Sequence, residues 1–193
     1  MAATRASSSL SEELSALEGD QREMPREAVP MTDLLGAVDR LRPLIDDKSI
    51  ALVFDVPDDL PAIAGDVAHL QHVVRNLVHN AVKFTPARGT ITLSATAAPN
   101  AVVLRCTDTG AGIRSDELPR IFERFWKADS SRRRDGEGSG LGLAIVRHVV
   151  AAHNGSIAVA SELGRGTTFT VTLPAWPAAN PAAAGARTEA TRA

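Results

Sequence analysis

The apolar positions of the chain change period several times, and each change marks an element. Leu34, Leu35, Val38, Leu41 and Ile45 recur at helical spacing, with Thr32 placed as an N-cap and Pro43 set to kink or shorten the helix. A partly alternating strand over 50–56 closes on Pro57 and Asp58. Asp66 then caps the most regular helix, which carries Leu70, Val73, Val74, Leu77, Val78 and Ala81 on one side and stops at Thr85 and Pro86. Strands over 90–96 and 101–107 flank Ala98-Pro99-Asn100, a hairpin signal. A third long helix over about 140–153 ends on Asn154 and Gly155, and strands over 156–160 and 167–173 flank Gly164-Arg165-Gly166. Paired neighbouring strands alternating with helices predict an α+β fold: a two-layer sandwich whose sheet is mostly antiparallel and carries its helices on one face.

The ends read differently. Residues 1–29 are rich in Ser, Glu and Ala, with a weak helical pattern through Leu10, Leu14 and Leu17; residues 175–193 are dominated by Ala, Pro and Thr. The tail has too little apolar surface to order itself, which leaves 30–174 as the folded unit. Composition narrows the picture further. Aromatics make up 4% and Tyr is absent, so Val, Leu, Ile and Ala must build the core. A formal net charge of −2 offers no electrostatic basis for binding nucleic acid. A single cysteine, Cys106, excludes an internal disulfide and any multi-cysteine metal site, and its apolar strand predicts a buried, inert thiol. No apolar run reaches membrane-spanning length, so this segment is expected to make no membrane contact and to be cytoplasmic, whatever anchors a parent protein.

Three polar constellations remain. Asn76, Asn80 and Lys83 share one stripe of the regular helix, opposite its apolar side. Amide oxygens suit a hard cation and an ammonium suits phosphate, but the same spacing also describes a solvated helix face. Asp108-Thr109-Gly110-Ala111-Gly112-Ile113 directly follows a strand. There a carboxylate can accept from an exocyclic amine beside glycines that admit a flat ligand, or it can simply start a tight turn. Gly138-Ser139-Gly140-Leu141-Gly142-Leu143 leads into a helix, where backbone amides and the helix dipole favour an anion; the other reading is a flexible turn. It is not a Walker loop, for no Gly-Lys-Ser/Thr follows, and the polar run before it fits a dinucleotide fingerprint poorly. The two glycine motifs bracket a long segment, 114–137, with Ile121, Phe122, Phe125 and Trp126 as apolar anchors and a solvated run Arg132, Arg133, Arg134 beyond them. Segments of this kind are often lids over ligands.

In order and spacing these elements resemble the catalytic domain of sensor histidine kinases, within the gyrase, chaperone, kinase and mismatch-repair ATPase superfamily. Asn76-Leu77-Val78-His79-Asn80-Ala81-Val82-Lys83-Phe84-Thr85-Pro86 is similar to the asparagine box, and Asp108 to Ile113 to the first glycine box. Ile121-Phe122-Glu123-Arg124-Phe125-Trp126 is similar to the phenylalanine box, Gly138 to Leu143 to the second glycine box, and Gly164-Arg165-Gly166-Thr167-Thr168-Phe169 to the closing Gly-Thr element. The resemblance implies a mixed five-stranded sheet backed by three helices, with ATP held between the helices and a long lid. By position, Asn80 would coordinate Mg²⁺ with Asn76 assisting, and Lys83 would contact phosphate. Asp108 would bind the adenine amine, with Gly110, Gly112 and Ile113 around the base and Thr167 nearby through water. Gly138, Gly140, Leu141 and Gly142 would offer amides to phosphate, and Arg124 would be a lid contact.

Hydrolysing relatives such as gyrase carry a glutamate base where Asn76 stands, so the resemblance favours transfer over hydrolysis. The expected acceptor is a histidine on a helical hairpin, in the same parent chain or a partner protein, for relay to a response regulator. None of His69, His72, His79, His148 and His153 sits in that motif, so a structural or solvated role is expected for each, and negligible autophosphorylation of this chain alone. Residues 10–23 would be the end of that hairpin. An anti-sigma-type serine kinase and a non-catalytic ATP-sensing module are the rival readings.

Overall fold

The computed structural model describes residues 26–127 and 139–177. Helix α1 (Met31–Leu35) runs through a 3₁₀ stretch, Gly36–Leu41, into α2 (Arg42–Asp47). Strands β2 (Ala51–Asp55), β4 (Thr90–Ala98), β5 (Ala101–Asp108), β6 (Ser156–Glu162) and β7 (Gly166–Pro174) form one sheet in the order β2-β4-β5-β7-β6. β2 pairs parallel to β4 and every other neighbour is antiparallel, so the sheet is mixed as expected. The two long helices are α3 (Val67–Phe84) and α4 (Gly142–Ala152). Among the described residues, no helix is long and apolar enough to cross a membrane.

Alternation decides which face of the sheet is covered. Ile91, Leu93 and Ala95 of β4, Val102, Leu104 and Cys106 of β5, and Phe169, Val171 and Leu173 of β7 are all buried under the helices. The residues between them, among them Thr92, Ser94, Thr107, Thr168, Thr170 and Thr172, point the other way and are half-buried. From α3, Leu70, Val73, Val74, Leu77, Val78, Ala81 and Val82 close the layer, each larger side chain contributing about 1.5–3 kcal/mol relative to exposure. Asp66 caps α3 as expected, its carboxylate accepting from the His69 amide at 2.9 Å. Cys106 is buried, and burial, with the charge of Asp108 adding to it, pushes its thiol up to about 12.

The first helical segment departs from expectation. It begins at Met31 behind extended Pro30, with no side-chain cap, so Thr32 lies inside the first turn instead of capping it. Its break follows the proline: Pro43 lacks an N–H and crowds the carbonyl four residues back, so the chain tightens to 3₁₀ geometry and restarts as α2. A second sheet was not legible in the pattern. β1 (Glu27–Val29) pairs antiparallel with β3 (Ile63–Gly65), and both strands are too short to show a period. The chain past β7 adds to this small sheet, Ala175 bridging Ile63 and the Trp176 amide donating to the Ala62 carbonyl at 2.7 Å. Strand pairing thus starts a few residues before 30 and runs just past 174. Residues 10–23 and the Arg132 to Arg134 run lie outside the described residues.

Candidate nucleotide-binding site

Asp108 ends β5, the central strand, in register between Ile91 of β4 and Thr167 of β7. It is buried, and burial raises its pKa, while the backbone amides of Gly110 and Thr167 favour the charged form. The Gly110 amide donates to Asp108 Oδ1 at 2.8 Å. Holding a carboxylate out of water disfavours its ionised state, which makes Asp108 a candidate for meeting a ligand.

The glycines around it are there because backbone passes through the space a side chain would fill. A Cβ on Gly110 would stand 2.6 Å from Asp108 Oδ1 and 2.7 Å from the Phe84 carbonyl oxygen. Gly112 has φ of +68° and abuts the Glu162 carbonyl and the backbone of Leu163. The two turns interlock: the Gly164 amide donates to the Ala111 carbonyl at 2.7 Å, and the Ala111 amide donates to the Phe84 carbonyl at 3.2 Å. Ile113 donates its amide to Ser161 Oγ at 2.8 Å, and Ser161 Oγ lies 2.9 Å from Thr167 Oγ1. The closing hairpin, by sequence only a turn, is therefore the support of the first glycine motif.

Asn76, Asn80 and Lys83 lie half-buried on α3. Asn76 Nδ2 donates to the His72 carbonyl at 3.0 Å, leaving Oδ1 to face Gly142, where a Cβ would come within 2.9 Å of it. This contact joins the asparagine stripe to the second glycine motif. Lys83 Nζ sits 5.4 Å from the centre of the Phe84 ring. The end of α3 that carries these groups is tied down by Lys48, whose Nζ donates to the carbonyls of Val82 at 2.7 Å, Lys83 at 3.2 Å and Thr85 at 3.1 Å.

Gly140 has φ of +74° and lies against Phe125, whose amide donates to the Gly140 carbonyl at 3.0 Å. The Leu141 amide donates to Ser139 Oγ at 3.2 Å and its side chain is buried in the core, so the residue expected to offer its N–H to phosphate is engaged internally. Of the expected apolar anchors of the segment between the glycine motifs, Ile121 is buried, and Phe122 and Trp126 pack on the core. Phe125 is not an anchor: it is 66% exposed, with φ of +62°, because the left-handed turn that meets Gly140 swings its ring outward. Arg124 is exposed, and Gly138 lies outside the described residues. Asp108, Gly110, Gly112, Ile113 and Thr167 therefore gather at the sheet end, and Asn76 and Gly142 meet along α3.

The site has the parts of a nucleotide pocket, and the description "Histidine kinase-, DNA gyrase B-, and HSP90-like ATPase" matches residues 65–177. The chain belongs to this family. Within it, its likeness is to the ATP-binding catalytic domains of sensor histidine kinases. Over 166 residues it is 38% identical to the sensor-like histidine kinase SenX3 of Mycolicibacterium smegmatis, an alignment covering 86% of this chain and 43% of that protein. The chain thus spans less than half the length of this curated relative. The mycobacterial sensor histidine kinase MprB superposes with a TM-score of 0.66 at 31% identity, over 80% of this chain and all of that one. Full-length ShkA in complex with AMPPNP superposes with a TM-score of 0.76 at 31% identity, over 92% of this chain and 38% of that one.

Residue types alone missed several contributors to this family site. Ser161 carries no motif. Lys48 lies 34 to 37 residues from the carbonyls it holds, so only the fold connects them. The Phe84 carbonyl is a backbone group, invisible to any side-chain pattern.

Proposed function

We propose that this domain binds ATP with the adenine amine at Asp108 and the triphosphate along the stripe of Asn76, Asn80 and Lys83, and donates the γ-phosphoryl group to a histidine on a separate hairpin domain. The observation that carries it is Asp108, a buried carboxylate at the end of the central strand with backbone-only turns beside it. The AMPPNP complex of the similar ShkA supports a nucleotide here. The donor set fits a phosphate-bound Mg²⁺: amide oxygens of Asn80 and Asn76 stand on the same stripe as an ammonium, and the absence of a side chain at Gly142 keeps the approach to Asn76 Oδ1 clear. Mg²⁺ would supply charge neutralisation of the phosphates.

The chain's own work is positioning and electrostatics. Lys83 places a positive charge beside the phosphates, and Gly140 and Gly142 keep side chains away from them. Asn76 is an amide where a hydrolysing relative carries a carboxylate, so it cannot take a proton from water. The incoming imidazole nitrogen forms the new N–P bond as the γ-phosphorus separates from its bridging oxygen, and ADP leaves. Arg124 and Gly138 are further proposed contacts from the lid, and a response regulator is the proposed downstream partner.

The test mixes the domain with labelled ATP and a histidine-hairpin protein. Phosphate on the partner that is acid-labile and alkali-stable is the expected result. Acid-stable phosphate would assign a serine kinase, and none at all a nucleotide-sensing module. The domain alone is expected to keep no stable label on its own histidines.

A further inference from the structure

His153, at the end of α4, is 1% exposed. Its Nδ1 lies 2.8 Å from the Val149 carbonyl oxygen and its Nε2 lies 3.1 Å from the Asp66 amide nitrogen. A carbonyl only accepts and an amide N–H only donates, so both roles are assigned: Nδ1 carries the hydrogen and Nε2 offers its lone pair. The ring is therefore neutral in this arrangement, and a second proton would remove the acceptor that holds Asp66. The ring occupies the side-chain space of Gly65, where a Cβ would stand 2.6 Å from His153 Cδ2.

This bridge has a counterpart one helix length away. Gly142 at the start of α4 meets Asn76 of α3, and His153 after its end meets Asp66 at the N-cap of α3. Between these contacts the chain rises about 16 Å along α4 and about 15 Å along α3. The two helices thus run antiparallel and meet at two points of matching separation, tied by the His153 bridge at one and in close approach at the other, which lies in the proposed phosphate site.

We propose that His153 is a positioning residue that locks the end of α4 to the start of α3, so that the Gly142 turn and the Asn76 and Asn80 stripe keep one spacing, and that protonation of its ring releases the lock. The proposal rests on the nucleotide reading for its functional consequence. The charged and titratable groups facing the ring are Asp66 and His69 from the start of α3 and Arg26 from the segment before β1. His69 has its ring centre 6.4 Å from that of His153 and its Nδ1 2.9 Å from Asp66 Oδ1. Asp66 and the Val149 carbonyl favour the cation, while burial, the largest influence, opposes it together with His69 and Arg26, and His153 is held below the ordinary histidine value of 6.5. A depressed histidine supports the locked state fully above its ordinary value. That support is lost as pH falls below it toward the folded value, because the unlocked ring takes up the proton more readily.

Two variants and one spectrum test this. His153→Phe fills the volume without polar atoms, and His153→Gln keeps one donor and one acceptor. In the nucleotide-free wild-type domain, lowering the pH from 7.5 until the His153 ring signal titrates is expected to shift the Asp66 and Gly142 amide resonances together, in step with that signal. Folded His153→Phe is expected to bind Mg·ATP roughly three- to ten-fold more weakly at pH 7.5 and to lose the shared titration, with His153→Gln recovering most of the affinity. An Asp66 shift that leaves Gly142 unmoved, or a folded His153→Phe with wild-type affinity, overturns the proposal. Wild-type protein that binds no nucleotide refutes the site reading instead, and the paired amide titration still decides the lock. If His153→Phe does not fold, the wild-type titration and His153→Gln carry the test.

Discussion

The two ends of the proposed pocket are built in opposite ways. At the base end, Asp108 is set by strand register, held by the Gly110 and Thr167 amides, and walled by two glycine turns that hydrogen-bond to each other. At the phosphate end, Asn76, Asn80 and Lys83 project half-buried from one helix, which packs on α4 and on the first helical segment, with Gly142 approaching Asn76. A sheet passes position through many backbone hydrogen bonds, whereas a helix stripe inherits its position from how the helix packs. The base end is therefore pre-organised, and the phosphate end depends on what fixes α3 and α4. Beyond core packing, ties on the helix side include Lys48 on the carbonyls at one end of α3 and the Asp66 to His153 bridge at the other.

Substitutions at each end should separate these behaviours. The largest effect is expected from Asp108→Asn, which should weaken ATP binding roughly 10- to 100-fold by calorimetry, because a carboxylate acceptor is replaced by an amide. Its melting temperature should be unchanged or raised, since burial already disfavours the charge at neutral pH. A melting temperature that falls steeply would show that Asp108 is structural and break the contrast. Next, Asn80→Ala should cost about tenfold in affinity with Mg²⁺ present and little in EDTA. Equal losses in both conditions would remove Asn80 from the metal. The smallest effect belongs to Lys48→Met, which should lower stability by about 1 kcal/mol in denaturant titration. It should disturb Lys83 and Phe84 amide shifts before those of Asp108, and Lys48→Arg should restore part of both.

Much of this was legible in the residues because it is local or periodic. The apolar side of α3 repeats at helical spacing over eighteen residues, so its face, its Asp66 cap and its stop at Thr85 could be read directly. The strand runs of β4, β5 and β7 and the hairpin signals beside them were local too, whereas which of their faces is buried came from the structure. The first helical segment was harder, since Pro43 signals an interruption without saying whether the chain bends, tightens or stops. β1 and β3 were missed because three residues carry no period. Phe125 was misread for a related reason: an aromatic in an apolar cluster looks like an anchor, but its φ of +62° turns it to solvent, and dihedrals are not written in composition.

By itself the sequence determined the fold class, the apolar helix faces, the order of the motifs and the residue types offered to a nucleotide, all properties set by neighbours along the chain. Only the tertiary structure decided that the closing hairpin supports the first glycine motif, that Gly142 abuts Asn76, that Lys48 holds the end of α3, and that a buried histidine ties its start. These contacts join residues that are far apart in sequence. Their energies depend on which elements the buried core brings together, and no local pattern encodes that choice.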